Sequence, residues 1–114
     1  MRMKSNWIFL VALVVSVLLG LFFLNGPAKA DNAAAEATYK AKCAMCHGPD
    51  GKGETAAGKS MKAGSFSAPE VAKMSDDDLA VVIAKGKNKM PAYEKSLNPD
   101  QIKGLVAYIR SLAK

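Results

Sequence analysis

The chain has 114 residues, with 16 basic and 10 acidic side chains, two cysteines and one histidine. This length allows one domain. Residues 31–114 carry 13 of the basic and all 10 of the acidic side chains. A net charge of about +3 on this part favours no nucleic-acid role, because binding to the phosphate backbone requires a strongly basic surface.

The N-terminal segment has the pattern of an export signal. Two basic residues precede an uncharged apolar run over residues 7–24, and the small-x-small sequence Ala28-Lys29-Ala30 follows. We therefore expect a signal peptide over residues 1–30 that is cleaved after Ala30. Eighteen apolar residues also reach the minimum length of a membrane helix, so the alternative is a retained anchor over residues 7–24. In both cases residues 31–114 are expected to lie outside the cytoplasm.

The remaining segments predict helices and no strands. Residues 33–45 are rich in alanine and predict a helix that leads into the cysteines. Residues 48–70 contain five of the nine glycines and predict a loop with at most a short helix. Ser75 and the three aspartates after it predict the start of a helix over about residues 76–85. Asn98 and Pro99 then start a helix whose apolar stripe predicts core packing: Ile102, Leu105, Val106, Ile109 and Leu112.

The two cysteines are the only candidates for an internal staple, which a domain of about 84 residues with four aromatic side chains usually needs. A Cys43–Cys46 disulfide would close a very short loop and would restrict the unfolded chain little. A thioredoxin-like exchange site belongs to an alternating β/α pattern, and no convincing strands occur here. A structural zinc site needs four ligands, but this segment has no third cysteine and no second histidine.

The sequence Cys43-Ala44-Met45-Cys46-His47 matches the C-x-x-C-H signature of covalent haem attachment. Residues three and four apart share one face of a helix. Cys43 and Cys46 can therefore form thioethers to one porphyrin, while His47 lies below the iron as an axial ligand.

A methionine is the expected sixth ligand, because the chain has no second histidine. Met45 lies inside the attachment motif and cannot reach the opposite face of the haem. Met74 precedes the capping residue Ser75 and fits a contact at the helix entry. Met90 lies in a polar segment between two predicted helices, and Pro91 fixes the chain beyond it. Met90 is therefore the preferred ligand and Met61 the second choice, and a gap-filling core role for Met90 is the alternative.

The chain resembles the small single-haem class I cytochromes c of the bacterial and algal periplasmic type. The residues that carry the resemblance are Tyr39 before "CAMCHGPDGKG", then "GKNKMPAY", then "IKGLVAYIRSL", which together cover nearly all of residues 35–113. The resemblance implies an all-α class I cytochrome c fold of about three to four helices around one covalently attached haem. It also implies the following roles: Cys43 and Cys46 as thioether anchors, His47 as the proximal ligand and Met90 as the distal ligand.

In that fold the first and last helices cross at one edge of the haem. We therefore expect Tyr39 to meet the region of Leu105 and Tyr108, and Gly104 to permit a close approach of the two helices. Many members of this family place a tryptophan near a haem propionate, but the one tryptophan here, Trp7, lies in the leader. The propionate partners are therefore not assigned. The candidates are Lys59, Ser60 and Asn88, and each also fits a plain solvated side chain.

An iron that is ligated by both His47 and Met90 has no vacant position for a substrate, so the expected function is one-electron transfer and not enzyme catalysis. The alternatives are a membrane-tethered cytochrome c subunit of an oxidase or reductase complex and a haem peroxidase-like enzyme. The expected location is periplasmic, with membrane contact only if the N-terminal segment is retained. The expected partners are redox proteins with an acidic docking patch. Lys85, Lys87 and Lys89 precede the distal ligand Met90 and are expected near the exposed haem edge, with Lys62 beside them, where their positive charges would attract such a patch.

Overall fold

The computed structural model describes residues 3–22 and 28–114, and these residues form seven helices and no strands. The helices are α1 (Met3–Phe22), α2 (Ala28–Lys42), α3 (Ala44–His47), α4 (Ala56–Met61), α5 (Pro69–Ala72), α6 (Asp76–Lys85) and α7 (Pro99–Leu112). The prediction of an all-α fold is confirmed. Three of the helices after α1 are longer than six residues, so the expected three to four helices are accompanied by additional short ones.

Helix α1 contains the predicted apolar run as far as Phe22, and the rest of that run lies outside the described residues. The predicted cleavage position after Ala30 lies in the first turn of α2. Among the residues that the structure describes, no helix combines the length and the apolar character needed to cross a membrane.

Helices α6 and α7 begin at the predicted capping residues. The Ser75 hydroxyl accepts a hydrogen bond from the Asp78 backbone N–H (3.0 Å). Asn98 and Gln101 form a complete capping box, with bonds of 2.8 and 2.9 Å between each side chain and the other residue's backbone N–H. These bonds satisfy backbone donors that have no partner inside a helix, which explains why both starts were predictable from sequence.

The predicted helix over residues 33–45 is longer at its start and interrupted near its end. Helix α2 runs from Ala28 to Lys42, and α3 begins after Cys43, whose φ of −117° departs from helical geometry. The hydrogen bonds nevertheless continue through this point, because the Cys43 carbonyl accepts from the N–H groups of Cys46 (3.2 Å) and His47 (3.0 Å). The cysteines and the histidine therefore lie on one helical turn.

The glycine-rich segment after His47 wraps closely around this turn and contains helix α4. A Cβ atom on Gly58 would lie 2.2 Å from the Cys46 carbonyl oxygen, so only glycine fits at this approach. Thr55 caps α4 through its hydroxyl, which also donates to the Met45 carbonyl (2.7 Å). The segment thus packs backbone against backbone instead of forming an apolar core of its own.

The core lies where α7 packs against α2 and α6. Tyr39 of α2 and Leu105 of α7 are fully buried within it. The Tyr39 ring lies 5.1 Å from that of Tyr108, and its hydroxyl donates to the Gly48 carbonyl at 2.6 Å. The expected meeting of Tyr39 with the Leu105 and Tyr108 region is therefore observed. The prediction that Gly104 is needed for a close approach of the two helices is wrong, because a Cβ atom there would lie at an ordinary 3.7 Å from the Cβ of Ala35.

Candidate functional site

The largely apolar cavity beside the cysteine turn brings together residues from distant parts of the chain. Its volume is about 420 Å³. Three of the four predicted site residues, Cys43, His47 and Met90, line it, whereas Cys46 lies on the same turn but is not part of the wall. Most other wall residues are apolar or aromatic and come from α5, α6, α7 and the segments around them: Phe66, Val71, Met74, Leu79, Val82, Ile83, Tyr93, Leu105 and Ile109.

His47 is part of this wall, and its imidazole is in the neutral state that metal binding needs. Its ring stacks on Phe66 with a centroid distance of 4.7 Å and an angle of 26° between the planes. Burial lowers the pKa of the imidazole below its ordinary value, which keeps the ring neutral and a nitrogen lone pair available. Within the described residues the buried Nδ1 atom has no hydrogen-bond partner. Because Nδ1 has no accessible surface, a group in the cavity would meet the imidazole through its other nitrogen, Nε2.

Cys43 is half-buried beside the cavity, and neither it nor Cys46 forms a disulfide. Burial raises the pKa of the Cys43 thiol, and the nearby Lys42 charge opposes this only in part. A thiol with a raised pKa is a poor thiolate nucleophile, which disfavours a disulfide-exchange site. The two free thiols are consistent with covalent attachment of a haem. The apolar wall and the neutral imidazole of His47 are consistent with it as well.

Met90 is presented to the cavity by a tight turn that follows helix α6. Gly86 ends the helix with a φ of 77°, and Asn88 also has a positive φ of 53°. The backbones of Lys87 and Met90 exchange two hydrogen bonds, of 3.2 and 2.9 Å, which close the turn. Met90 therefore occupies a defined position although it lies outside any helix.

The chain after Met90 is attached to the end of helix α6. The Tyr93 N–H donates to the Ile83 carbonyl at 3.0 Å, and the Glu94 N–H donates to the Ala84 carbonyl at 3.1 Å. Carbonyls in the last turn of a helix have no partner within it, so these bonds satisfy groups that would otherwise need solvent. Lys85 and Glu94 add an exposed ion pair at 2.6 Å.

The other methionines differ in their relation to the cavity. Met61, the second choice from sequence, is 50% exposed in α4 and is not part of the wall, and Met45 is 76% exposed. Met74 does line the cavity together with Met90. From sequence, the position of Met74 next to the helix cap Ser75 predicted only a local contact. The sequence does not show that Met74 lies in the same cavity as Cys43.

Sequence reasoning assigned no role to two residues that shape the site, Tyr93 and Arg110. The Tyr93 hydroxyl donates to the Lys42 carbonyl at 3.1 Å. Arg110 of α7 donates to the carbonyls of Val71 (3.2 Å) and Met74 (2.5 Å), which belong to two wall residues. An aromatic residue three positions after Met90 is a signal that sequence reasoning could have used, whereas nothing in the local pattern around Arg110 indicates these contacts.

The charged residues at the cavity are Lys87 and Glu70, both exposed. The three sequence candidates for propionate partners, Lys59, Ser60 and Asn88, are not among the wall residues. The structure therefore does not support these candidates over their solvated alternative.

Comparison with known proteins gives consistent matches. Residues 30–109 match the family described as cytochrome C oxidase, cbb3-type, subunit III. The chain is 33% identical to cytochrome c6 of Nostoc sp. over 82% of this chain and 86% of that protein, and 32% identical to cytochrome c6 of Rippkaea orientalis over 100% and 96%. It is 40% identical to the cbb3-type cytochrome c oxidase subunit CcoP of Rubrivivax gelatinosus over 65% of this chain and 24% of that protein. The solved structure of the c-type cytochrome KustC0563 matches with a TM-score of 0.64 and 32% identity over 70% of this chain and 98% of that one.

Proposed function

Because the chain belongs to the family of small single-haem class I cytochromes c, we propose that Cys43 and Cys46 attach the haem and that His47 and Met90 are the axial ligands of its iron. The observation that carries this proposal is the convergence of Cys43, His47 and Met90 on one apolar cavity. The chain is an electron carrier with one haem c.

Each residue group contributes to electron transfer in its own way. The bound haem supplies a one-electron iron couple. The thioether of Met90 is a soft ligand that favours the reduced metal and raises the reduction potential. The apolar wall excludes water and so disfavours the additional charge of the oxidised state. Burial keeps His47 neutral and able to act as a ligand.

The assignment of Met90 is tested by methionine variants. Met90→Ala should lower the reduction potential and allow carbon monoxide to bind the ferrous protein, since a ligand position becomes open. Met74→Ala is the stringent control because Met74 shares the cavity, and Met61→Ala is the exposed control. If Met74→Ala alone opens the iron, the distal ligand is Met74 and the assignment of Met90 is wrong.

The covalent anchors are tested by mass. Cys43→Ala combined with Cys46→Ala should abolish covalent haem, and the intact mass of the denatured variant should equal that of the polypeptide. We also expect this variant to be largely unfolded by circular dichroism, because a domain of this size has little core besides the residues that surround the haem. A folded, colourless double variant would contradict the second expectation.

We infer further that the protein is not an enzyme. The one histidine of the chain is used as a ligand in the proposed site, which leaves no second imidazole for acid–base work above the iron. Catalysis of peroxide reduction would need an open iron. Absence of carbon monoxide binding in the wild-type ferrous protein supports a carrier, and rapid binding would contradict this inference.

For the location we propose an extracytoplasmic haem domain whose leader, residues 1–30, is removed as a periplasmic signal peptide. The basic start, the apolar run and the small residues at positions 28 and 30 support this proposal. N-terminal sequencing of protein from its native host should begin at Asp31. An intact N-terminus would show that cleavage does not occur.

A tethered subunit of an oxidase is the second candidate function. The match to the cbb3-type subunit III family and the 40% identity to CcoP favour it, although this chain matches only 24% of CcoP. In this case residues 7–24 would be retained as an anchor. The haem would then sediment with washed membranes and resist extraction by high salt, whereas a cleaved carrier would remain in the soluble fraction.

We propose, finally, that the redox partners present an acidic patch to the lysines around the Met90 turn. Lys87 lies at the cavity itself, which places a positive charge beside the proposed haem edge. Lys85 is already paired with Glu94, so Lys87 and Lys89 are the stronger candidates for contacts with a partner. Charges at such a rim accelerate the encounter more than they increase affinity.

A further inference from the structure

Tyr93 connects the two halves of the proposed haem site. It lies three residues after Met90, and its side chain lines the cavity. Its hydroxyl donates a 3.1 Å hydrogen bond to the carbonyl of Lys42, the residue immediately before Cys43. This bond spans 51 positions of the sequence. It therefore joins the segment that carries the distal methionine to the segment that carries the cysteines.

The backbone of Tyr93 is held as well. Its N–H donates to the Ile83 carbonyl at 3.0 Å, and the next residue, Glu94, donates to Ala84 at 3.1 Å. The residue is thus fixed to the end of α6 through its backbone and to the end of α2 through its side chain. A residue fixed at two points restricts the positions that the neighbouring Met90 can take.

We propose that Tyr93 is a positioning residue that keeps Met90 on the iron by holding its segment against the cysteine turn. This inference rests on the proposed ligation by Met90. When the segment from Gly86 to Tyr93 moves away from the cavity to open the distal position, the Tyr93 hydroxyl bond must break or stretch.

The phenol is in the state that this role needs. Burial raises the pKa of Tyr93 above its ordinary value, so the hydroxyl remains protonated and able to donate at neutral pH. The acceptor is a backbone carbonyl, which does not titrate, so only the ionisation of Tyr93 itself could remove the bond.

The test uses the haem-loaded protein and an external ligand as probe. Tyr93→Phe retains the ring in the cavity wall and removes the hydroxyl. Binding of imidazole to the ferric protein, followed by its absorption spectrum, should tighten about fivefold, which at 1.4 kcal/mol per tenfold equals the net value of about 1 kcal/mol for one hydrogen bond. Tyr108→Phe is the matched control, because Tyr108 packs on Tyr39 and is not part of the cavity wall. Its imidazole affinity should equal that of the wild type.

A double-variant cycle separates positioning from general loosening. In a Met90→Ala background, Tyr93→Phe should leave imidazole binding unchanged, since no methionine remains to be held. An equal tightening in both backgrounds would overturn the inference, as would an unchanged affinity in the single variant. If Met90→Ala itself does not open the iron, the ligand assignment fails first. If Met90→Ala opens the iron and Tyr93→Phe has no effect, the positioning role alone fails.

Discussion

Gly86 shows how one backbone position determines where Met90 can lie. Its φ of 77° and ψ of 168° fall in a region that is essentially restricted to glycine. A Cβ atom there would lie 2.6 Å from the Met90 carbonyl oxygen and 3.0 Å from the Ala92 nitrogen. The end of helix α6 and the turn that carries Met90 therefore approach each other at a point that has no room for a side chain.

Gly86→Ala should destabilise the protein by about 2 kcal/mol or more, because it combines backbone strain with a clash against backbone atoms. It should also weaken ligation by Met90, since the turn must shift to admit the methyl group. Thermal unfolding and imidazole binding to the ferric protein measure the two effects.

Gly104→Ala is the control for this prediction. A Cβ at Gly104 meets Ala35 at an ordinary contact distance of 3.7 Å, so the variant should be neutral or up to about 1 kcal/mol more stable through helix propensity. Equal destabilisation by both substitutions would show that the Gly86 turn is not specially constrained.

For individual residues, the chemistry of the site was easier to predict from sequence than its geometry. Residue type and spacing were sufficient to propose Cys43, Cys46 and His47, because the attachment motif is local. The choice between Met61 and Met74 as the second methionine depends on tertiary packing, and the cavity contains Met74. The spacing of Tyr93 from Met90 was a usable signal, but its hydrogen bond could not be predicted from sequence, because the acceptor lies 51 positions away.

Among the helices, Arg110 links three consecutive elements, α5, α6 and α7, on one side of the cavity that contains Met90. From α7 it donates to two carbonyls, those of Val71 in α5 and Met74 before α6, and its Nε donates to Asp76 at 3.0 Å in the first turn of α6. One guanidinium thus fixes the junction between α5 and α6, which supplies two wall residues. Its planar fork suits several acceptors at once, whereas a lysine ammonium cannot reproduce this geometry.

Arg110→Met should lower the free energy of unfolding by about 2 kcal/mol, in the range found for hydrogen bonds to charged groups. Arg110→Lys should recover only part of this loss. Lys103→Met changes an exposed position of the same helix and should be nearly neutral. Urea denaturation of the haem-loaded proteins measures these differences, and an Arg110→Met variant as stable as Lys103→Met would refute a structural role for the guanidinium.

The helices were predictable to the degree that local signals define them. Helix α6 matches its predicted range, and α7 begins at the predicted cap, because Ser75 and Asn98 satisfy the first backbone donors. The predicted helix over residues 33–45 is interrupted at Cys43, and the segment after His47 contains α4 and the start of α5. The position of α4 follows from close backbone packing around the cysteine turn, for which the sequence has no periodic signal.

In the molecule as a whole, three lysines lie in the short segment that leads to Met90, beside the proposed haem site. Lys87 lies at the cavity, and Lys85 and Lys89 belong to the same short segment. Lys85 is paired with Glu94, whereas Lys103 lines a separate groove between α2 and α7. Replacing Lys85, Lys87, Lys89 or Lys103 one at a time by a neutral residue therefore changes the net charge equally, and the four variants differ only in the position of the lost charge.

If these lysines guide the partner, electron transfer to an acidic partner should slow as the ionic strength rises, since the Debye length is about 10 Å at 0.1 M salt. Changing Lys85, Lys87 and Lys89 together to Gln should weaken this dependence. Among single variants, Lys87→Gln and Lys89→Gln should reduce the low-salt rate more than Lys85→Gln, whose charge is already offset by Glu94. Lys103→Gln should have the smallest effect, because Lys103 lines a different groove and not the proposed haem site. Stopped-flow rates that do not change with salt, or four equal single variants, would mean that net charge or apolar contacts determine docking instead of these positions.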